Sequence, residues 1–142
     1  MKITLPLSLV IPRKTKADKI FSLNLNVYRN AHHMVLNDAK ARWKGIVEDA
    51  IHYWQQPDNG YKAPLHFTYT VFPGNNRAFD LANVLPIVQK FTDDALIDAG
   101  IISDDNFKVV RAIDYRFGGV DKERPRVELE IRPMEDAQQA TR

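Results

Sequence analysis

The chain has 142 residues, 44% hydrophobic and 27% charged, with a net charge of +2. That is enough for one ordinary domain with a real core, and it excludes a disordered or low-complexity protein. No apolar run approaches the roughly 18 residues of a membrane span, and the apolar start is too short for a signal peptide. With no cysteine there is neither disulfide nor thiolate chemistry, which points to the cytoplasm.

The opening "KITLPLSLVIP" is rich in apolar and β-branched residues and reads as a first strand ending at Pro12. "RKTKADK" (13–19) is a basic loop, and "IFSLNLNVYRNAHH" continues as an asparagine-rich turn region. From Met34 to Trp54 the residues Val35, Ala39, Trp43, Ile46, Val47, Ala50 and Trp54 recur at helical spacing, and "QQPDNG" ends that helix. "PLHFTYTVFP" (64–73) alternates as a strand does, with Leu65, Phe67, Tyr69 and Val71 on one side.

A second helix is expected from about Leu81 to Ala99, stopped by Gly100, with Pro86 tolerated in its first turn. After the turn "SDDN", the strands "FKVVRAIDYRF" and "RVELEIRP" are joined by "GGVDKERP" as a hairpin. The order β-α-β-α-β-β predicts a single small α+β domain over 1–133, with two main helices packed on a mixed or antiparallel sheet. Residues 134–142 are expected to form a frayed tail. Trp43 and Trp54 belong to the core or to a dimer interface.

Charge is unevenly distributed. Residues 1–62 hold ten Lys/Arg and five Asp/Glu, whereas residues 63–142 hold ten and thirteen. Such a division suits a protein that holds a polyanion beside a divalent cation, and it also arises by chance in a small domain. The stretch 79–106 gathers six aspartates around a single basic residue, Lys90. On a helix, Asn83, Lys90 and Asp94 share a stripe beside the core face of Val84, Val88, Phe91, Ala95 and Ala99. Asp93 and Asp98 read as solvent-facing charges.

Two readings account for these residues. In one, Asp80 caps the helix, Lys90 and Asp94 form an i,i+4 pair, and Asp104 and Asp105 shape a turn. In the other, Asp80, Asp94 and Asp105 converge from three segments on a hard cation such as Mg²⁺, which takes oxygen ligands and substrate phosphates. The pattern leaves both open. His32, His33, His52 and His66 have no zinc-like spacing, and no Ser/His/Asp pattern or cysteine supplies a covalent nucleophile.

The run Asp80-Leu-Ala-Asn83, Lys90, Asp94-Ala-Leu, Gly100 and Asp104-Asp105 resembles the central motif of the RusA family of Holliday junction resolvases. That motif has an Asp-x-Asp-Asn start, a helix lysine, an Asp-x-Leu and a glycine turn closed by paired aspartates. "ITLPL", "NLNVYRNAHH" and "RVELEI" resemble the family's opening strand, its Asn/Tyr/Arg-rich loop and its closing strand. Nearly the whole chain is covered, with the specific features confined to 80–105.

The resemblance implies a homodimeric endonuclease, dependent on Mg²⁺ with Mn²⁺ as a substitute, that resolves four-way DNA junctions in a bacterial or phage-infected cell. It implies metal-site roles for Asp80, Asp94 and Asp105, with Lys90 reaching a phosphate from about one turn beyond the usual lysine position. DNA contacts are expected from Arg13, Lys14, Lys16, Lys19, Asn26, Tyr28, Arg29, Arg77 and Asn83, with Asn24 beside them. Where the motif has its second aspartate this chain has Ala82, so a homologue that binds branched DNA without cutting it is the alternative.

Overall fold

The alternation in residues 65–72 organises the domain. In the computed structural model, which describes residues 1–52 and 61–135, β4 (Leu65–Phe72) buries Leu65, Phe67, Tyr69 and Val71. It lies inside a four-stranded sheet with β1 (Lys2–Leu5), β5 (Val110–Phe117) and β6 (Arg126–Pro133), in the order β1-β6-β4-β5. β6 runs antiparallel to both β1 and β4, while β5 runs parallel to β4. The domain is therefore α+β with a mixed sheet, as the element order predicts.

The two helices follow the expected apolar spacing. α2 (His33–Ile51) buries Ala39, Trp43, Val47 and Ile51, and the His32 ring nitrogen accepts the Met34 N–H at 3.2 Å to cap it. α3 (Leu81–Asp98) is buried more broadly than one stripe, through Leu85, Ile87, Val88, Phe91, Thr92, Ala95 and Leu96. It ends in a two-bond glycine motif: Gly100, at φ +75°, donates to Ile97 O and Ile101 donates to Leu96 O, both at 3.0 Å. Phe91 is the hub of this layer. Phe21, Tyr28 and Trp43 converge on its ring with centroid distances of 6.1, 6.3 and 6.5 Å.

Four local expectations change. The single opening strand is broken at Pro6 into β1 and β2 (Ser8–Ile11), because the chain leaves the sheet there to pair with β3 (Lys19–Ser22). The turn region after residue 19 contains β3, where Phe21 is drawn into the core, and a short helix α1 (Leu25–Asn30) whose cap Asn24 accepts the Val27 N–H at 2.8 Å.

β5 and β6 do not form a hairpin, since β4 lies between them. The connection from 118 to 125 crosses the end of β4, where Gly118 N–H bonds Val71 O and Asp121 N–H bonds Pro73 O, both at 2.8 Å. Arg126 closes that crossing with its guanidinium 4.0 Å from the centroid of the Phe72 ring.

Finally, Pro86 sits in the second turn of α3, because the cap is Asp80. Its missing donor leaves the carbonyl of Ala82 without a helical bond, and Ala82 is exposed to water.

Trp43 is a core residue; Trp54, the turn expected at 55–60 and residues 136–142 of the expected tail lie outside the described residues. No helix among the described residues is long and apolar enough to cross a membrane.

Candidate functional site

The acidic segment is laid along one crossover, with β4 leading into α3 and the 101–109 turn leading into β5. Asp80 caps α3 in extended conformation and is exposed. Its carbonyl accepts the Asn83 N–H at 2.9 Å, and its carboxylate makes no capping bond. Asn83 is half-buried in the first turn. From Asp80 to Asp94 the helix rises roughly 21 Å at about 1.5 Å per residue. The two carboxylates stand at opposite ends of the rod.

Asp94 is exposed and faces α2, where its charge and that of Asp98 hold the Lys44 ammonium above its ordinary pKa, the Asp98 ion pair being the main cause. Lys90 is exposed one turn earlier, with its ammonium 5.8 Å from the centre of the Tyr28 ring of α1. A cation over an aromatic face is held there electrostatically, so Lys90 and Tyr28 form one joined surface. Asn26 and Arg29 are exposed on the same short helix, and the Asn26 carbonyl accepts the Asn30 side-chain amide at 2.9 Å.

Asp104 and Asp105 build the turn before β5. Asp104 accepts the Asp105 N–H at 2.7 Å and the Asn106 side-chain amide at 3.0 Å, and these bonds lower its pKa. Asp105 is exposed, and its charge reaches Asp93.

Asp93 departs most from its sequence reading. It is 4% exposed, not solvent-facing, because α3 turns this side toward β4 and β5. Burial pushes its pKa up to about 7; Gln89 opposes the shift by donating to Oδ2 at 3.4 Å, and the charges of Asp105 and Asp94 add to it. Tyr115 of β5 donates its hydroxyl to Gln89 Oε1, and its ring lies 6.1 Å from that of Tyr69. Burial and the nearby Asp93 raise the pKa values of both tyrosines. Oδ1 of Asp93 and the hydroxyl of Tyr69 are buried with no hydrogen-bond partner among the described residues. The sequence signal for Asp93 was its place in "KFTDDAL", between Thr92 and Ala95, both buried.

The other predicted DNA contacts lie on the β2–β3 hairpin and in the loop before α3. Arg13, Lys14 and Lys16 occupy the exposed loop of the β2–β3 hairpin, where Arg13 Nε donates to Ala17 O at 2.8 Å. Lys19 is half-buried at the start of β3, opposite Ile11. Arg77 is exposed before α3, in a shallow groove shared with Phe79, Leu81, Phe117 and Val120.

The family resemblance implies that Asp80, Asp94 and Asp105 share one ion. A single chain does not gather them: among the described residues no group of three or more acidic or histidine side chains is arranged to hold a metal. The physical reason is the length of α3, about 27 Å for 18 residues. In sequence comparison no protein-family model and no curated protein matches the chain.

Proposed function

We propose that this protein is a homodimeric, Mg²⁺-dependent endonuclease that resolves four-way DNA junctions, as the resemblance to RusA-family resolvases implies. What carries the reading is the ordered run Asp80, Asn83, Lys90, Asp94 and Asp105 along one helix and its closing turn. Lys90 and Tyr28, joined across α3 and α1, are suited to a phosphate beside an aromatic ring. The exposed hairpin loop offers Arg13, Lys14 and Lys16 to backbone phosphates without regard to sequence.

Among the described residues Asp80, Asp94 and Asp105 form no three-carboxylate group, so a Mg²⁺ held by this chain would rest on one or two of them, with water and substrate phosphates completing its shell. A homodimer agrees with the substrate, because resolving a junction needs two symmetric cuts and a two-fold pair of sites supplies them.

A second reading is favoured by Ala82, exposed in the first turn of α3 where the family motif has an aspartate. In it the protein binds branched DNA without cutting. One gel separates the two, using an end-labelled four-way junction with and without Mg²⁺. Symmetric nicks that require the ion support the endonuclease. A shifted band without nicks supports the binding homologue, and neither nick nor shift rejects both.

A further inference from the structure

Among the described residues β5 ends the four-stranded sheet: β4 pairs with one side of it, and no strand pairs with the other. Gly118 N–H bonds Val71 O, so by the alternation of a strand the backbone groups of Ile113, Tyr115 and Phe117 point away from β4. The side chains of these three turn toward the helix layer, which covers them incompletely. Ile113 is 39% exposed and Phe117 57%. An eight-residue edge with outward amides and bare apolar side chains is a template for another strand.

We propose that this edge seats a second copy of the chain, β5 antiparallel to β5, about a two-fold axis at Tyr115. Opposed residues of an antiparallel pair share a face, so some residue must meet its own counterpart at the axis. Centred on Asp114 or Arg116, the pairing opposes like charges. Centred on Ile113, it leaves Asp114 opposite Ala112 and Arg116 opposite Val110. Centred on Tyr115, it sets Asp114 against Arg116 and Ile113 against Phe117, each twice by symmetry.

The backbone agrees with this register. The residues whose amides point outward are the ones it opposes, so their donors and acceptors find partners. Asp114 and Arg116 then occupy the positions between those bonds, where side chains approach most closely. Within one chain these two already lie 3.3 Å apart on the open face, so no new side-chain direction is needed.

Tyr115 also touches Gln89, the middle of α3. A two-fold at Tyr115 thus sets the two α3 helices antiparallel with their middles level. This is a second copy of the kind the endonuclease reading proposes. The pairing itself rests only on the edge strand, and its test contains no nucleic acid, so either proposal can fail alone.

The test is sedimentation equilibrium of the full chain over a micromolar range. The parent is expected to be a dimer. Arg116→Asp, at an exposed position, opposes like charges and should weaken association about tenfold or more while the chain stays folded by circular dichroism. Combining Asp114→Arg with Arg116→Asp makes each opposed pair complementary again and should restore the dimer. Phe117→Glu should weaken it as Arg116→Asp does. A monomeric parent, or a dimer indifferent to both Arg116→Asp and Phe117→Glu, overturns the proposal, and so does a folded charge-swap protein that stays monomeric.

Discussion

Gln89 donates its side-chain amide to Asp93 at 3.4 Å, one turn along α3, while its own carbonyl oxygen accepts the Tyr115 hydroxyl from β5. One amide therefore bridges the helix and the sheet edge at the place where a carboxyl group is buried. Satisfying one carboxyl oxygen in this way does not offset burial of the other, and the proton of Asp93 becomes part of the fold's stability.

The pH dependence follows from that proton. Asp93 titrates at about 7 in the folded chain, chiefly because it is buried, against 3.8 ordinarily. Between those values the unfolded chain releases the proton and the folded chain keeps it. Stability should therefore fall as pH rises from about 4 to 7 and then level off, by at most on the order of 4 kcal/mol. Asp93→Asn should remove this slope and be more stable than the parent at pH 8. Urea unfolding at pH 5 and pH 8 measures both, and an unchanged slope in the variant would show that Asp93 is not the group responsible.

Asp105→Asn carries two expectations. It removes a charge that helps raise the Asp93 pKa, so the Asp93 midpoint, followed by carboxyl NMR, should move down. If the endonuclease reading holds, the variant should bind a four-way junction without Mg²⁺ at least as well as the parent and cut poorly with it. Cleavage at the parental rate would remove Asp105 from any metal site.

Ala82→Asp tests the departure from the family motif. The position is exposed in the first turn of α3, where the positive end of the helix dipole favours a carboxylate. The melting temperature should hold or rise slightly. Metal affinity by titration calorimetry, or junction cleavage, should increase; a stable variant with neither gain would argue against a metal beside this turn.

Gly100→Ala should cost about 1 kcal/mol, because the residue holds φ +75° to close the C-terminal end of α3. Its added Cβ meets no atom within 4 Å, so the cost is backbone strain and not a clash. An equilibrium unfolding curve that overlays the parent would refute this.

Trp43→Phe should destabilise the chain by roughly 2–3 kcal/mol, since it opens a cavity and leaves the buried Thr92 hydroxyl without the indole N–H that it now accepts at 3.0 Å. Adding Thr92→Val to that variant should recover part of the loss. Chemical denaturation of the single and double variants provides the measurement.

Periodicity alone placed α2, β4, α3 and β6 within a few residues, because long amphipathic patterns record which side of each element leaves water. Leu65, Phe67, Tyr69 and Val71 announce a half-buried strand, and Gly100 announces the end of a helix. The short pieces were less legible. β3 spans four residues and α1 six, too few for a period to stand out, and they form because Phe21 and Tyr28 dock on Phe91. The β5–β6 pairing could not be read from the intervening turn residues, since either strand could pair with β4, and β4 took both.

The acidic site divides in the same way. Sequence spacing determined that Asn83, Lys90 and Asp94 follow a common stripe and that Asp80 and Asp105 bracket the helix. Only the tertiary structure decided which carboxylates meet. The length of α3, already legible in the sequence, keeps Asp80 and Asp94 apart, whereas the packing of that helix against β4 and β5 buries Asp93, whose neighbour Asp94 remains in water. A step of one residue turns a helix by about 100°, and which of two adjacent aspartates is buried depends on the sheet beneath it, whose contacts are distant in sequence.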